Sequence, residues 1–375
     1  MLPQGVADAG QGFSFPLSGN PARRLTDMAS KLPIEVCVVD DIRPHPNADR
    51  LAIVRIKGWQ AVVGRAEFKQ GDRVVYFPPD ARLPQYVSDA MNVTKYLKGS
   101  DDNKRVGQIR LRGEPSFGLV VPLPERLREA AVGDDVAAYF GVTKWEPPVL
   151  GQAGDVLGYE HPLFQRYTDI ENLRNFPNAF EEGEDVIITE KIHGTNVRIG
   201  RIGGELMAGS HNLARKRPDA EEEMARNFYW YPLTLEPVKA LLASVPGNQV
   251  ILYGETYGRV QNLHYGHGRD LAFAAFDLLV DGHFLDWWEF TQRCRECGVA
   301  TVPIVNETAY YSLASVAAHS RGRSLLAGAE HMREGVVVKP AAERYSEVLK
   351  GRLIGKYLND DYLLSKESEK DTTDA

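Results

Sequence analysis

The sequence predicts an α+β fold built on antiparallel sheets, with a small β-barrel module in front of it. Between residues 34 and 77, short runs rich in Val, Ile and aromatic residues are separated by Pro, Asn and Gly turns, the spacing of a barrel. After about residue 166, strand-like and helix-like runs are interspersed without the regular alternation of a parallel β-α-β sheet. A Pro- and Gly-rich stretch beginning at Gly141 divides the two.

Composition narrows the class before any motif is read. A chain of 375 residues has room for two or three domains at roughly 150 residues each. Its 43% apolar and 25% charged residues are the balance of a folded globular protein, so disorder is expected only locally. No apolar run reaches the roughly 18 residues of a membrane span, and no basic stretch leads into an apolar one at the start. The expected location is cytoplasmic, away from membranes. Three cysteines, Cys37, Cys294 and Cys297, cannot build a disulfide framework. Cys294 and Cys297 form a C-x-x-C without a second ligand pair, which argues against zinc. The net charge of −7 means that nucleic acid binding would need a local basic face.

In chain order, residues 1–30 read as a mobile arm rich in Gly, Pro, Ser and Ala. The module at 31–145 opens with strands Ile34–Val39, Leu51–Ile56, Gln60–Val63 and Arg73–Phe77. Its turn His45-Pro46-Asn47-Ala48-Asp49-Arg50-Leu51, followed by Gly71-Asp72, is similar to the opening of OB-fold modules that bind tRNA and other RNAs; His45 reads as a turn residue. Lys95, Lys98, Lys104, Arg105, Arg110 and Arg112 cluster with Tyr96 and Phe117. That mixture suits either a groove for a single strand or a solvated strand face. Residues 146–165 read as a linker. The second domain, 166–366, has predicted strands at Val186–Thr189, Leu206–Ala208, Val250–Tyr253, Leu271–Val280, Gly335–Lys339 and Leu353–Tyr357. Its predicted helices are Ala220–Tyr229, Trp287–Cys297 and Leu313–Ala327, and 367–375 is a charged tail.

The centre of the second domain is Glu190-Lys191-Ile192-His193-Gly194-Thr195-Asn196, a polar loop between Val186–Thr189 and Val197–Gly200, a run whose apolar and charged positions alternate with the period of a half-buried strand. A lysine there can act as a nucleophile once it loses its proton. Free lysine titrates near about 10.4, so neighbouring cations, a metal ion or desolvation must help. Gly194 would let backbone approach a ligand, with His193, Thr195 and Asn196 offering hydrogen bonds. Alone, the pattern reads first as a β-turn with one exposed lysine, and the rest of the chain must decide.

Further signals follow in order. Glu255 sits in Tyr253-Gly254-Glu255-Thr256-Tyr257-Gly258, where it can take ribose hydroxyls or cap a turn. Phe276-Asp277 closes an apolar strand before the hairpin turn Asp281-Gly282, and its ring can stack on a base or belong to the core. Glu334 and Lys339 in Arg333-Glu334-Gly335-Val336-Val337-Val338-Lys339 are an odd number of residues apart, so a bulge or strand end must turn one of them if both serve one site. Lys356, in Leu353-Ile354-Gly355-Lys356-Tyr357, reads as a buried lysine that needs an anionic partner.

Together these five motifs resemble those of the covalent nucleotidyltransferases, the superfamily of ATP-dependent DNA and RNA ligases and mRNA capping enzymes, in the form RNA ligases carry. The likeness runs from about Ile187 to Tyr362. Because the OB-like module stands in front, the chain resembles the branch of RNA ligases with an N-terminal OB module. Where the family often has Ser-Arg after the nucleophile, this chain has Ser210-His211-Asn212, which would pass a phosphate contact to Arg215 or Lys216. In the fifth motif Ile354 replaces the first of two lysines, leaving Lys356.

The resemblance implies an ATP-dependent RNA ligase with ATP and Mg2+ or Mn2+ as cofactors. Lys191 would become AMP-linked, with Glu334, Lys339 and Lys356 as further catalytic residues and Glu334 at the metal. Nucleotide contacts would come from Glu190, Ile192, His193, Asn196, Glu255, Phe276, Lys339 and Lys356. His193, Asn196, Arg215 and Lys216 would meet the substrate, RNA or RNA/DNA strands with 3′-hydroxyl and 5′-phosphate ends. No obligate protein partner is evident. A GTP-dependent capping-type transferase and a non-catalytic RNA-binding protein with a decayed ligase domain are the alternatives.

Overall fold

The computed structural model describes residues 32–99, 104–145, 155–157, 159–258, 263–268 and 270–365. Met1–Glu146 and Pro147–Ala375 form two compact units. The expected arm at 1–30 and tail at 367–375 lie outside the described residues, as do residues 146–154 of the expected linker.

The first unit holds β1 (Glu35–Val38), β2 (Asp41–Pro44), β3 (Leu51–Ile56), β4 (Trp59–Gly64), β5 (Arg73–Phe77), β6 (Ala81–Arg82), β7 (Gln108–Leu111), β8 (Glu114–Phe117), β9 (Leu119–Pro122) and β10 (Thr143–Lys144). Two short helices, α1 (Gln85–Ala90) and α2 (Ala137–Phe140), accompany them. The strands pair antiparallel as β1-β5-β9, β2-β3-β4, β7-β8 and β6-β10. Strand β4 shows why they form: Trp59, Ala61 and Val63 point inward and the residues between them do not, the period of a half-buried strand. Val36, Val75, Phe77, Val87, Val106 and Phe140 close the core. His45 is a turn residue, with Nε2 3.0 Å from the Leu111 carbonyl and Nδ1 accepting the Asn47 N–H at 3.0 Å.

The basic and aromatic cluster of this unit is only partly available to a ligand. Phe117 is buried in the core against Trp59. Arg105 stacks on Trp145 at 3.4 Å and pairs with Asp80 at 3.2 Å. Tyr96 stays exposed under the Lys95 ammonium, and Arg110 and Arg112 are exposed.

The second unit holds β11 (Glu171–Asn172), β12 (Asp185–Lys191), β13 (Thr195–Ile202), β14 (Glu205–Gly209), β15 (Ala214–Arg215), β16 (Gln249–Gly258), β17 (Leu271–Val280), β18 (His283–Phe284), β19 (Ile304–Tyr310), β20 (Gly335–Pro340), β21 (Tyr345–Ser346), β22 (Gly351–Arg352) and β23 (Gly355–Leu358). Its helices are α3 (Glu221–Met224), α4 (Glu236–Ser244), α5 (Trp287–Cys297), α6 (Leu313–Ser320) and α7 (Asp360–Leu363). One sheet runs β11-β23-β20-β12-β19 and a second runs β15-β14-β13-β16-β17-β18. β11 pairs parallel with β23, and the other neighbours in both sheets are antiparallel.

Strand β12 is buried on both faces. Ile187 joins Val197, Leu252 and Trp287, while Val186 and Ile188 join Val316, Val336 and Val338. Helix α5 forms over the expected residues because Trp287, Phe290 and Cys294 fall on one face, and Gly298 ends it in the left-handed conformation at φ 75°.

Several expectations need correction. The helix expected over Ala220–Tyr229 stops at Met224, because the Asn227 side chain accepts the N–H groups of Tyr229 and Trp230 and offers the backbone a turn instead. The helix expected to Ala327 ends at Ser320, where Arg321 turns to extended backbone. The last strand begins at Gly355, since Leu353 and Ile354 are buried but sit outside its ladder. The run Val197–Gly200 is not half-buried: Arg198 is fully enclosed and donates to the Ser210 carbonyl at 3.0 Å and to Glu160 at 3.0 Å. A charged residue in an alternating strand pattern implies a solvent-facing position, and the partners that bury Arg198 lie too far along the chain to be read from that pattern.

Candidate active site

Lys191 is the last residue of β12 in one sheet, and Thr195 is the first of β13 in the other. Ile192, His193 and Gly194 make the crossing, and all three are buried. A Cβ at Gly194 would lie 2.5 Å from the Thr256 carbonyl and 3.0 Å from Glu255 Cγ. The glycine therefore admits the neighbouring strand β16, a correction to the expectation that it admits a ligand.

Strand register brings distant residues onto one wall. Ile187 faces Lys339 across β12 and β20, Thr189 faces Val337, and Val337 in turn faces Lys356 on β23. Asn196 faces Glu255 across β13 and β16. Between β16 and β17 the register slips: Tyr253 pairs with Asp277 but Gly254 with Ala275, leaving Phe276 as the extra residue of a bulge. A bulge lets neighbouring side chains share a side that the pleat would otherwise separate. Phe276 and Asp277 both border one cleft, together with Thr189, Glu190, Lys191, Ile192, Asn196, Glu255, Lys339 and Lys356. Counting the open solvent at its mouth, the cleft encloses about 1010 Å3.

Lys191 reaches this cleft in an ion pair, its Nζ 2.7 Å from Glu334 Oε1. Glu334 precedes the first residue of β20, so the strand end resolves the facing problem raised by its spacing from Lys339. Its other oxygen stands 3.3 Å from His193 Nδ1, which is also 3.2 Å from Tyr362 Oη. Glu334 and His193 are buried behind the lysine and neither lines the cleft.

A second buried network lies around Asp277. Lys339 Nζ donates to it at 2.6 Å and to the Phe276 carbonyl at 3.1 Å, while Arg352 Nη1 donates at 2.9 Å. Tyr167 Oη donates to the same carboxylate, and Arg352 is held from its far side by Glu343. Burial works to raise the Asp277 pKa, but the cations of Arg352 and Lys339 outweigh it and hold the carboxyl below its ordinary range. Burial wins at Lys339, whose pKa falls despite Asp277. Burial and the Asp277 charge both push the Tyr167 phenol well up.

Two cleft atoms are buried without a partner among the described residues: Glu190 Oε1 and Asn196 Oδ1. Since a buried polar atom is normally satisfied, these two are set for a ligand. Lys356 is half-buried at the cleft, which corrects the expectation of a fully buried lysine. Arg215 is buried against the Tyr229 ring with its guanidinium 4.5 Å from the centroid, and Lys216 is exposed; neither borders the cleft. His211 does border it, with Nε2 3.0 Å from Asp169 Oδ1. Tyr167, Thr168 and Asp169 line the same rim, without any motif that could have flagged them. Asp277 had a signal, an acid inside an apolar strand. Among the described residues no group of three acidic, His or Cys side chains is placed to hold a metal alone.

Residues 184–358 match the RNA ligase family model. The second unit belongs to the RNA ligase family. In front of this ligase unit, residues 34–123 match an OB-fold domain model. No curated protein sequence matches the chain. Solved structures of the Naegleria gruberi RNA ligase are similar to it over 89% of this chain and 98% of theirs, at 25% identity. These include the enzyme with pyrophosphate, at a TM-score of 0.71, a lysine-to-alanine mutant with ATP and Mn, at 0.69, and a glutamate-to-alanine mutant with ATP and Mn, at 0.70. The similarity spans the OB-fold domain as well as the ligase unit.

Proposed function

We infer that the chain is an ATP-dependent RNA ligase that joins a 5′-phosphate end to a 3′-hydroxyl end through a lysine-bound AMP. The observation that carries this reading is the Lys191 amine entering a cleft shared with Glu190, Glu255, Phe276, Lys339 and Lys356. Nζ of Lys191 attacks the α-phosphorus of ATP, a P–N bond forms as the bond to pyrophosphate breaks, and AMP remains on the lysine. AMP then passes to the 5′-phosphate of an RNA end. The 3′-hydroxyl of the other end attacks that phosphate, and AMP leaves. Dividing one condensation into three phosphoryl transfers gives the last step a good leaving group.

The amine that must lose a proton stands with Nζ 2.7 Å from Glu334 Oε1, within range for transfer to a base. Phe276 offers its ring to the adenine, Glu255 its carboxylate to the ribose, and Lys356 its ammonium to the phosphates. Lys339 joins Lys356 only by leaving Asp277, which Arg352 would continue to neutralise. With no three-ligand cluster among the described residues, the divalent ion fits as a partner of the triphosphate, the usual manner of Mg2+. Glu334 would meet it only by giving up its pair with Lys191, since it does not border the cleft; when bound, the ion offsets phosphate charge. His211 takes the 5′-phosphate in preference to Arg215 or Lys216, because it alone of the three borders the cleft. His193 supports Glu334 from behind.

Glu190 Oε1 favours ATP over GTP. An unpartnered carboxylate oxygen accepts the amino group at position 6 of adenine and repels the oxygen at that position of guanine. The three free thiols support the cytoplasm as its location, and no helix of the described residues is long and apolar enough to cross a membrane. No obligate protein partner is needed for these steps. Incubation with α-labelled ATP and a divalent ion leaves acid-labile, base-stable label on the protein, and Lys191→Ala abolishes it. Label on the Lys191→Ala protein would overturn the reading; an excess of GTP that displaced the label would favour the capping-type transferase.

A further inference from the structure

Glu190 presents one oxygen to the cleft because the other is already taken. The Leu325 backbone N–H, 135 residues away along the chain, donates to Oε2 at 2.7 Å. Glu190 is 1% exposed, so the carboxylate cannot exchange its two oxygens through solvent. The donor is an amide and the acceptor an ionised group, a pairing stronger than that of two neutral groups.

Leu325 belongs to the segment between α6 and β20, which is braced along its length. Buried Arg333 donates from Nη1 to the His319 carbonyl at 2.8 Å and from Nη2 to the Arg323 carbonyl at 3.1 Å. The Arg333 N–H closes on the Gly322 carbonyl at 3.0 Å, and the Ser324 N–H on that of His331 at 3.2 Å. The segment rests on a second loop through two glycines, Gly266 and Gly328, both left-handed at φ 77° and 81°. A Cβ on Gly266 would come 2.9 Å from Gly328 Cα, so side chains at this contact would force the loops apart. The same second loop carries Tyr265, whose Oη accepts the His193 N–H at 2.7 Å. The two loops thus grip the nucleophile segment on either side of Lys191, one at Glu190 and one at His193.

We propose that the 321–333 loop is the purine-selecting element of the ligase: through the Leu325 amide it turns Glu190 so that Oε1 alone meets the base, which commits the cleft to adenine. This rests on the ATP-dependent reading above. The side chain of Leu325 takes no part, being 51% exposed. A backbone donor fixes polarity where a side-chain donor would not, since whatever occupies position 190 must turn an acceptor toward the loop.

That last point supplies the test. In the full-length Glu190→Gln protein the amide oxygen is held by Leu325 and the NH2 group faces the cleft, so self-labelling should shift from ATP toward GTP by about tenfold or more in selectivity, the scale of one hydrogen bond to a buried group. A glutamine free to flip would turn its oxygen to adenine and keep the ATP preference, and that result would overturn the proposal. Leu325→Pro removes the N–H. It should raise the KM for ATP and narrow the ATP-to-GTP ratio while labelling at saturating ATP is retained, whereas Leu325→Ala, which keeps the donor, should preserve selectivity. An unchanged ratio in a folded Leu325→Pro protein would equally refute the role of the loop. Absence of label from the wild-type protein with either nucleotide would instead count against the ligase reading itself.

Discussion

Replacing Asp277 with alanine should destabilise the ligase unit by an amount its surroundings set. The carboxylate is fully buried and answers three donors, Lys339, Arg352 and Tyr167. Without it, Arg352 keeps Glu343, but among the described residues Lys339 is left with the Phe276 carbonyl and the faces of Trp287 and Phe290, 4.8 and 5.6 Å away. Removing one partner of a buried ion pair costs about 3–5 kcal/mol. The lower end applies, because burial already pushes the Lys339 pKa down and the amine can give up its proton. In a unit of this size each kcal/mol moves Tm by about 2–4 °C, so Tm should fall by about 6–12 °C. The pH dependence has a definite sign. The folded-state pKa of Asp277 is depressed, so its contribution is complete above the unfolded value of about 3.9 and is lost as pH falls through the folded one. Thermal melts of wild type and Asp277→Ala followed by circular dichroism should therefore converge on acidification. A Tm within about 2 °C of wild type at neutral pH would show that the network is not the support described. So would a gap that does not narrow in acid.

Gly194→Ala should lower both stability and self-labelling, by about 1–3 kcal/mol for an overpacked site, because the new methyl meets the Thr256 carbonyl; melts and label incorporation read the two effects. His211→Ala should leave lysyl-AMP formation intact and slow sealing about tenfold, while His211→Arg restores sealing, as measured on nicked RNA beside a self-labelling control. Deleting residues 1–145 should spare self-labelling and impair sealing, since the ligase unit has its own cores. Equal sealing by the truncated protein would remove the OB-fold domain from strand handling.

The residues of the cleft were legible where chemistry and chain order coincide. Lys191, Glu255, Phe276, Lys339 and Lys356 each lie in a short motif, and the register of β12, β13, β16, β17, β20 and β23 brings them together. What escaped was partnership between distant segments. Arg198 looked solvent-facing because Glu160 and Ser210 are not its neighbours in sequence. Gly194 looked poised for a ligand because nothing local reveals that β16 presses on it. His193 looked like a ligand contact, yet Tyr362 and Glu334 hold it behind the lysine. The helix limits at Met224 and Ser320 depend on a side-chain cap and one extended residue, which a hydrophobic pattern does not register.

Three residues join the sheet containing β12 to the sheet containing β13, and side chains in each strand alternate strictly between faces. Lengthening that joint by one residue while β12 stays in place would have to be absorbed by a slipped register in β13, sending Asn196 inward and its neighbours out. The segment around the nucleophile is therefore intolerant of insertion and deletion as well as substitution, a constraint on length that its polar composition would not suggest.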